Sequence, residues 1–198
     1  MHVKDEVRLI GFDEGPFTFE DTTCPLAGVM TRGGGYLEAV LVDEITVDGT
    51  DVDDTVIELL ADSSLLETAQ AIAFQGGTLA GFNVLDLARL HQTLGLPVLA
   101  LTEDEPDPPA VRQALRDTVR DPDRRIELLE AQPVHPVSLD EGTIHMRHVG
   151  GDHDQLAELV RAHTVRGLRP EPVRIAGLVA RALARGSSTG TQPPTEPD

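Results

Sequence analysis

Ala71-Ile72-Ala73-Phe74-Gln75-Gly76-Gly77 opens the stretch that decides the fold. Ala71 to Phe74 is an unbroken apolar run, short enough for a buried strand, and a polar residue with two glycines closes it. Val84 to Leu94 follows with apolar residues at positions 84, 85, 87, 88, 90 and 94, a helical period that stops at Gly95. Pro97 to Leu101 is apolar again and reads as the next strand. Strand, helix and strand at this spacing predict a βαβ unit, because parallel neighbours need a crossover of that length. The middle of the sheet is therefore read as parallel.

Upstream, Val7 to Phe12 reads as a buried strand that ends at Asp13-Glu14-Gly15-Pro16. Leu26 to Thr31 and Tyr36 to Val42 read as two strands joined by the turn Arg32-Gly33-Gly34-Gly35, a hairpin signal. Ile45-Thr46-Val47 either prolongs the second strand or forms a third. Asp54 to Ala61 predicts a short helix capped by the aspartates before it. Downstream, Pro109 to Val119 and Arg125 to Ala131 read as helices, and Thr143 to Met146 as an edge strand. Asp154 to His163 and Glu171 to Arg185 are amphipathic helices. The expectation is an α/β fold: a mixed sheet with antiparallel front strands, parallel strands behind, and helices on both faces. Residues 1–186 are read as a single domain and 187–198, rich in Ser, Thr, Gly and Pro, as a disordered tail.

Length and composition agree with one core, since the chain has 198 residues of which 40% are hydrophobic. No run approaches the roughly 20 apolar residues that span a bilayer, so no membrane partner is expected. The first residues carry no apolar leader, and Cys24 is the only cysteine, so a reducing cytoplasm is the expected location. Charge is the most unusual feature. Thirty-four acidic residues face 16 basic ones, a formal net charge of −18, and Lys4 is the sole lysine. One reading is a chain that repels polyanions. The other is adaptation to a salt-rich cytoplasm, where the screening length falls to about 3 Å at molar salt and net charge no longer reaches an approaching phosphate. The acids are scattered along the chain rather than gathered in a tail, which favours salt adaptation. Net charge then neither excludes DNA nor argues for it.

Three apolar strands end in polar groups beside glycine: Phe12-Asp13-Glu14-Gly15, Val47-Asp48-Gly49-Thr50-Asp51 and Phe74-Gln75-Gly76-Gly77. Ends of neighbouring strands can converge, and glycine lets a metal or phosphate approach the backbone. Converging carboxylates without sulfur or clustered histidine suit Mg²⁺ or Mn²⁺. The plain alternative is turn chemistry, in which these aspartates hydrogen-bond their own loops. Gly81-Phe82-Asn83 also has two readings: a helix cap with a core aromatic, or an amide and a ring that read and stack on a base. Glu171 and Arg174, at i, i+3 spacing, read as a pair that fixes the last helix. The seven histidines show no metal-ligand spacing, so zinc is not expected. P-loop and dinucleotide-binding motifs are absent from the sequence.

Four pieces carry a resemblance to a known family: Ile10-Gly11-Phe12-Asp13-Glu14-Gly15-Pro16-Phe17, Ile45 to Asp51, Gly76 to Asp86, and Arg169-Pro170-Glu171-Pro172-Val173-Arg174-Ile175-Ala176. In this order, over Val7 to Arg185, they make the chain similar to the archaeal endonuclease dU family, itself similar to endonuclease V. The resemblance implies a ribonuclease H-like core whose carboxylates hold Mg²⁺ or Mn²⁺. It also implies an endonuclease of DNA repair that nicks at or near deoxyuridine or another deaminated base. Asp13 falls on the first-strand aspartate of that pattern, and Asp48 or Asp51 would supply a second ligand. Gln75 stands where endonuclease V carries an aspartate; its carbonyl would bind the ion without charge, or Asp86 or Glu14 would substitute. Gly177 stands where the relatives carry histidine. Phe82 and Asn83, with Gly76 and Gly77, would form the pocket for an extruded base, and Arg32 would contact phosphate. Two rival readings remain: a non-catalytic nucleic-acid or nucleotide binding protein with a degenerate metal site, and a nuclease acting on inosine-containing RNA.

Overall fold

The computed structural model describes residues 6–18, 20–61 and 63–189. The predicted tail at 187–198 falls, apart from its first three residues, outside the described residues. Among the described residues nine strands form: β1 (Arg8–Glu14), β2 (Thr23–Arg32), β3 (Tyr36–Thr46), β4 (Ala71–Gln75), β5 (Thr78–Leu79), β6 (Asn83–Val84), β7 (Val98–Thr102), β8 (His135–Leu139) and β9 (Gly142–Val149). The α-helices are α1 (Val52–Ala61), α2 (Leu87–Leu94), α3 (Pro108–Thr118), α4 (Pro122–Glu130), α5 (His153–His163) and α6 (Glu171–Arg185).

Seven strands make the main sheet in the order β3-β2-β1-β4-β7-β9-β8. β1, β4 and β7 run parallel in the centre, while β2–β3 and β9–β8 add antiparallel hairpins at the two sides. The parallel centre matches the βαβ reading. Two details differ. Ile45 and Thr46 belong to β3, which runs unbroken from Tyr36, and the segment read as an edge strand is β9, inside the sheet. The true edge is β8, whose proline at 136 costs least where no neighbour needs its N–H. The helix read over 84–94 starts only at Leu87, because Asp86 accepts a hydrogen bond from Arg89 N and caps it, while Asn83–Val84 pairs with Thr78–Leu79.

Strand alternation sends successive side chains to opposite faces. Ile10, Phe12, Ile72, Phe74, Val98 and Ala100 face one core with Val52, Val56 and Leu60 of α1 and Leu87 and Leu90 of α2. Leu9, Ala71, Ala73, Leu99 and Leu101 face the other, with α5 and the start of α6. Phe12 and Phe74 stack with centroids 5.3 Å apart. The next residue on each strand, Asp13 or Gln75, must then project to the α6 side. α6 lies directly on β1: a Cβ on Gly11 would sit 2.3 Å from Val173 N, so only glycine allows that approach. Among the described residues no helix is long and apolar enough to cross a membrane.

Candidate active site

The site lies at the carboxyl ends of β1, β4 and β7. The register Phe12↔Phe74 and Gln75↔Leu101 brings Asp13, Gln75 and Glu103 to one face of three adjacent strands. Asp13 is 7% exposed and sits beneath α6 at Gly177, where a Cβ would lie 2.3 Å from its Oδ2. A histidine side chain could not occupy position 177 without moving Asp13 or the helix. Burial pushes the Asp13 carboxyl up to about 6, against the opposing charges of Arg169 and Arg181. Burial and the neighbouring Asp13 charge push Glu14 up to about 8. Glu14 Oε2 and Gln75 Oε1 are both buried without a hydrogen-bond partner. Buried oxygens are normally paired, so two orphans at adjacent strand ends mark a place built for something else.

Asp48 and Asp51 are not brought to this point. Asp48 has φ 54°, tolerable for aspartate, and its Oδ1 accepts from Phe82 N at 2.8 Å. Asp51 accepts from Thr46 N, from Thr46 Oγ1 at 2.7 Å and from Asn83 Nδ2 at 2.5 Å. Those donors hold Asp51 below the usual carboxylate range against the opposing effect of its partial burial, the largest single influence on it. Asn83 is fully buried, donates to Thr46 O and Asp51, and accepts from Val52 N at 3.3 Å. It has no group left to read a base. Its expected pocket role gives way to that of a brace between β3, α1 and β6. Asp86 is likewise engaged, as the α2 cap and with Arg124 at 3.4 Å. Among the described residues no three of His, Cys, Asp and Glu are arranged to hold a metal.

Arg32 lies at the other end of β1, opposite Arg8, whereas Asp13 is opposite Ala27. It pairs with Glu38 at 3.0 Å and stacks on Tyr36, so the expected phosphate contact from Arg32 is displaced by a structural role. Arg166, Arg169, Arg174 and Arg181 surround a cavity of about 180 Å³ that reaches Gly177 beside Asp13. Arg169 pairs with Glu103, and Arg174 with Glu171 at 2.7 Å as the spacing predicted. Arg166 and Arg181 have no ion pair among the described residues. His135, His148 and His153 also gather, with ring centroids 4.9 to 6.0 Å apart, although nothing in their spacing along the chain suggests it.

A larger cavity, about 520 Å³, opens beside the strand ends. Gln75, Gly76, Gly77 and Phe82 line one wall, Leu115 of α3 and Leu129 of α4 another, and Arg147 of β9 also reaches it. Phe82 is fixed on both sides of its backbone: its N–H donates to Asp48 and its carbonyl accepts from the buried Arg125. Glu103 and Arg169 line both cavities, so the two adjoin.

The model of the family described as Endonuclease dU matches residues 5–184. A UPF0215 protein of Methanopyrus kandleri is 36% identical over 189 residues, covering 94% of this chain and 96% of the relative. Among solved structures, a protein of unknown function from Archaeoglobus fulgidus superposes with a TM-score of 0.80 at 32% identity, over 90% of this chain and 98% of that one. Endonuclease V of Ciona intestinalis, in complex with a DNA containing inosine followed by a ribo-adenosine, superposes with a TM-score of 0.63 at 11% identity, over 91% and 87%. That likeness establishes a ribonuclease H-like fold. The identity along nearly the whole length settles descent, and the chain belongs to the endonuclease dU family.

Proposed function

We propose that this protein is a metal-dependent endonuclease that nicks DNA at or near a deaminated base such as deoxyuridine. The observation that carries the reading is the pair of orphaned oxygens, Glu14 Oε2 and Gln75 Oε1, beside the buried Asp13 carboxyl. All three are hard oxygen donors, the type that Mg²⁺ and Mn²⁺ require, and Glu14 Oε2 and Gln75 Oε1 have no hydrogen bond to break in turning toward an ion. Asp13, Glu14 and Gln75 would hold the ion, with Asp48 and Asp51 supporting the wall of the base pocket. A bound divalent ion supplies an activated water and neutralises charge on the phosphodiester.

The chain's own groups do the rest. Arg166 and Arg181, which form no ion pair among the described residues, hold the phosphate next to Asp13 and concentrate positive charge in an otherwise acidic protein. Gly177 lets α6 pack directly against Asp13, which holds Arg181 of the same helix close to that carboxyl. The larger cavity accepts the extruded nucleobase against Phe82, at low cost because a mispaired base is easily unstacked.

The experiment is nicking of a uracil-containing oligonucleotide with Mg²⁺ at high salt. Purified protein should cleave, and Asp13→Ala should lower the rate roughly a thousandfold. Equal cleavage by the variant would remove Asp13 from the chemistry. Lesion binding with no cleavage by the wild type would favour a binding protein whose glutamine at 75 has cost it the reaction.

A further inference from the structure

We infer that Arg147 is the residue that selects deaminated bases, by donating to the carbonyl oxygen that deamination creates. The inference rests on the reading that the large cavity receives a nucleobase. Three arginines line that cavity. Arg112 is paired with Glu130 and Arg169 with Glu103, whereas Arg147 has no carboxylate partner among the described residues. Its Nε is buried with no acceptor at all. Burial lowers the guanidinium from its ordinary value, and only Glu130, already engaged elsewhere, acts in the opposite direction. A half-buried, unpaired cation is costly and persists where an acceptor arrives with the ligand.

The chemistry of the wall fits that acceptor. Arg147 approaches the cavity beside Gly77, whose missing side chain leaves a Cβ position 4.0 Å from an Arg147 terminal nitrogen. Around it stand Phe82, Leu115, Ile126 and Leu129, apolar surfaces for the faces of a planar ring. Arginine carries five N–H donors and no acceptor. Cytosine and adenine present an exocyclic amine, itself a donor, and would meet Arg147 donor to donor. Uracil and hypoxanthine present a carbonyl at the same place. One fixed donor therefore separates both deaminated bases from both parents. At this residue alone, uracil and thymine are equivalent.

The test is equilibrium binding, by fluorescence anisotropy without divalent ions and at high salt, of single-stranded oligonucleotides that differ only in one central dU or dC. High salt suppresses the phosphate contribution and leaves the base contact visible. Wild type should bind the dU strand about tenfold to a hundredfold more tightly. Arg147→Met should lose that preference by weakening dU binding alone, and Arg147→Lys, one donor in place of a fork, should keep part of it. Equal wild-type affinities for the two strands, or an undiminished preference in Arg147→Met, would overturn the inference. If Arg147→Met does not fold, Arg147→Lys decides, and a preference equal to that of the wild type would overturn the inference. Nicking of the same strands with Mg²⁺ is read separately, so a protein that discriminates without cleaving would refute the endonuclease reading and leave Arg147 its role.

Discussion

Two acidic clusters in this protein look alike in sequence and differ in one physical respect. In the first, Asp48, Asp51 and Asn83 spend their polar atoms on backbone and side-chain partners that join β3, α1 and β6. In the second, Asp13 is buried against α6 and Glu14 and Gln75 flank it, yet two of the three residues carry a buried oxygen with no partner. The first group carries a carboxylate held below its usual range; the second has two pushed above it. Satisfied polar groups stabilise a fold, and unsatisfied ones cost it, persisting where function needs them. Hydrogen-bond completeness, not residue type, separates framework from site.

Breaking the framework cluster should give the largest effect. Asn83→Ala leaves Val52 N without its acceptor in a buried place and takes one donor each from Thr46 O and the Asp51 carboxylate, and should cost about 2 kcal/mol of stability. Asp13→Asn, by contrast, removes an ionisable group whose burial is unfavourable, and should leave stability at neutral pH unchanged or raised while nicking is lost. Urea unfolding of both variants checks the contrast. A destabilised Asp13→Asn beside a stable Asn83→Ala would reverse the assignment of the two clusters.

Much of this arrangement was legible beforehand, for reasons that differ by residue. The central strands declared themselves because Ile10–Phe12, Ala71–Phe74 and Val98–Leu101 are apolar on both faces, as parallel strands covered on both sides must be. Asp13 and Gln75 were legible because each directly follows such a run. Glu14 entered only as a substitute ligand, and Glu103, Arg147 and Arg181 not at all, since their importance depends on which strand ends adjoin and which partners are missing. β8 escaped notice because His135-Pro136-Val137-Ser138-Leu139 buries only Val137, as befits an edge. Asp48 and Asp51 were misplaced for a simpler reason. An aspartate beside glycine reads identically whether its oxygens are satisfied by Phe82 N and Asn83 or left for an ion.

The same contrast can be sharpened at Gln75, with a smaller effect. Gln75→Glu adds a charge beside Asp13 and an oxygen that already lacks a partner. Mn²⁺ affinity measured by calorimetry should rise about tenfold or more, because a hard cation gains from each added carboxylate. The cost falls on the metal-free protein, where a third acid in one buried place deepens repulsion. Lower Tm without metal and higher Tm with it is the expected signature. Unchanged Mn²⁺ binding would place the ion away from β4.

The smallest effect is a slope. In the metal-free protein Asp13 and Glu14 are raised to about 6 and about 8, chiefly by burial, with Arg169 and Arg181 pulling Asp13 down. In the unfolded chain both ionise near pH 4. Between pH 6 and pH 8 the native state therefore holds about one proton that the unfolded state has released, so stability falls as pH rises, by on the order of 1 kcal/mol per pH unit. The contribution is fully present below the unfolded values and is lost as pH climbs through the folded ones. Glu14→Gln cannot release that proton and should flatten the slope in this window. Mutating Asp51, whose carboxyl is displaced in the opposite direction, should leave the slope between pH 6 and pH 8 untouched, because that group is ionised in both states throughout. Denaturant titrations at three pH values separate the two variants. A slope that survives Glu14→Gln would mean that the buried proton resides elsewhere and that the unpartnered oxygen at Glu14 is solvated in solution.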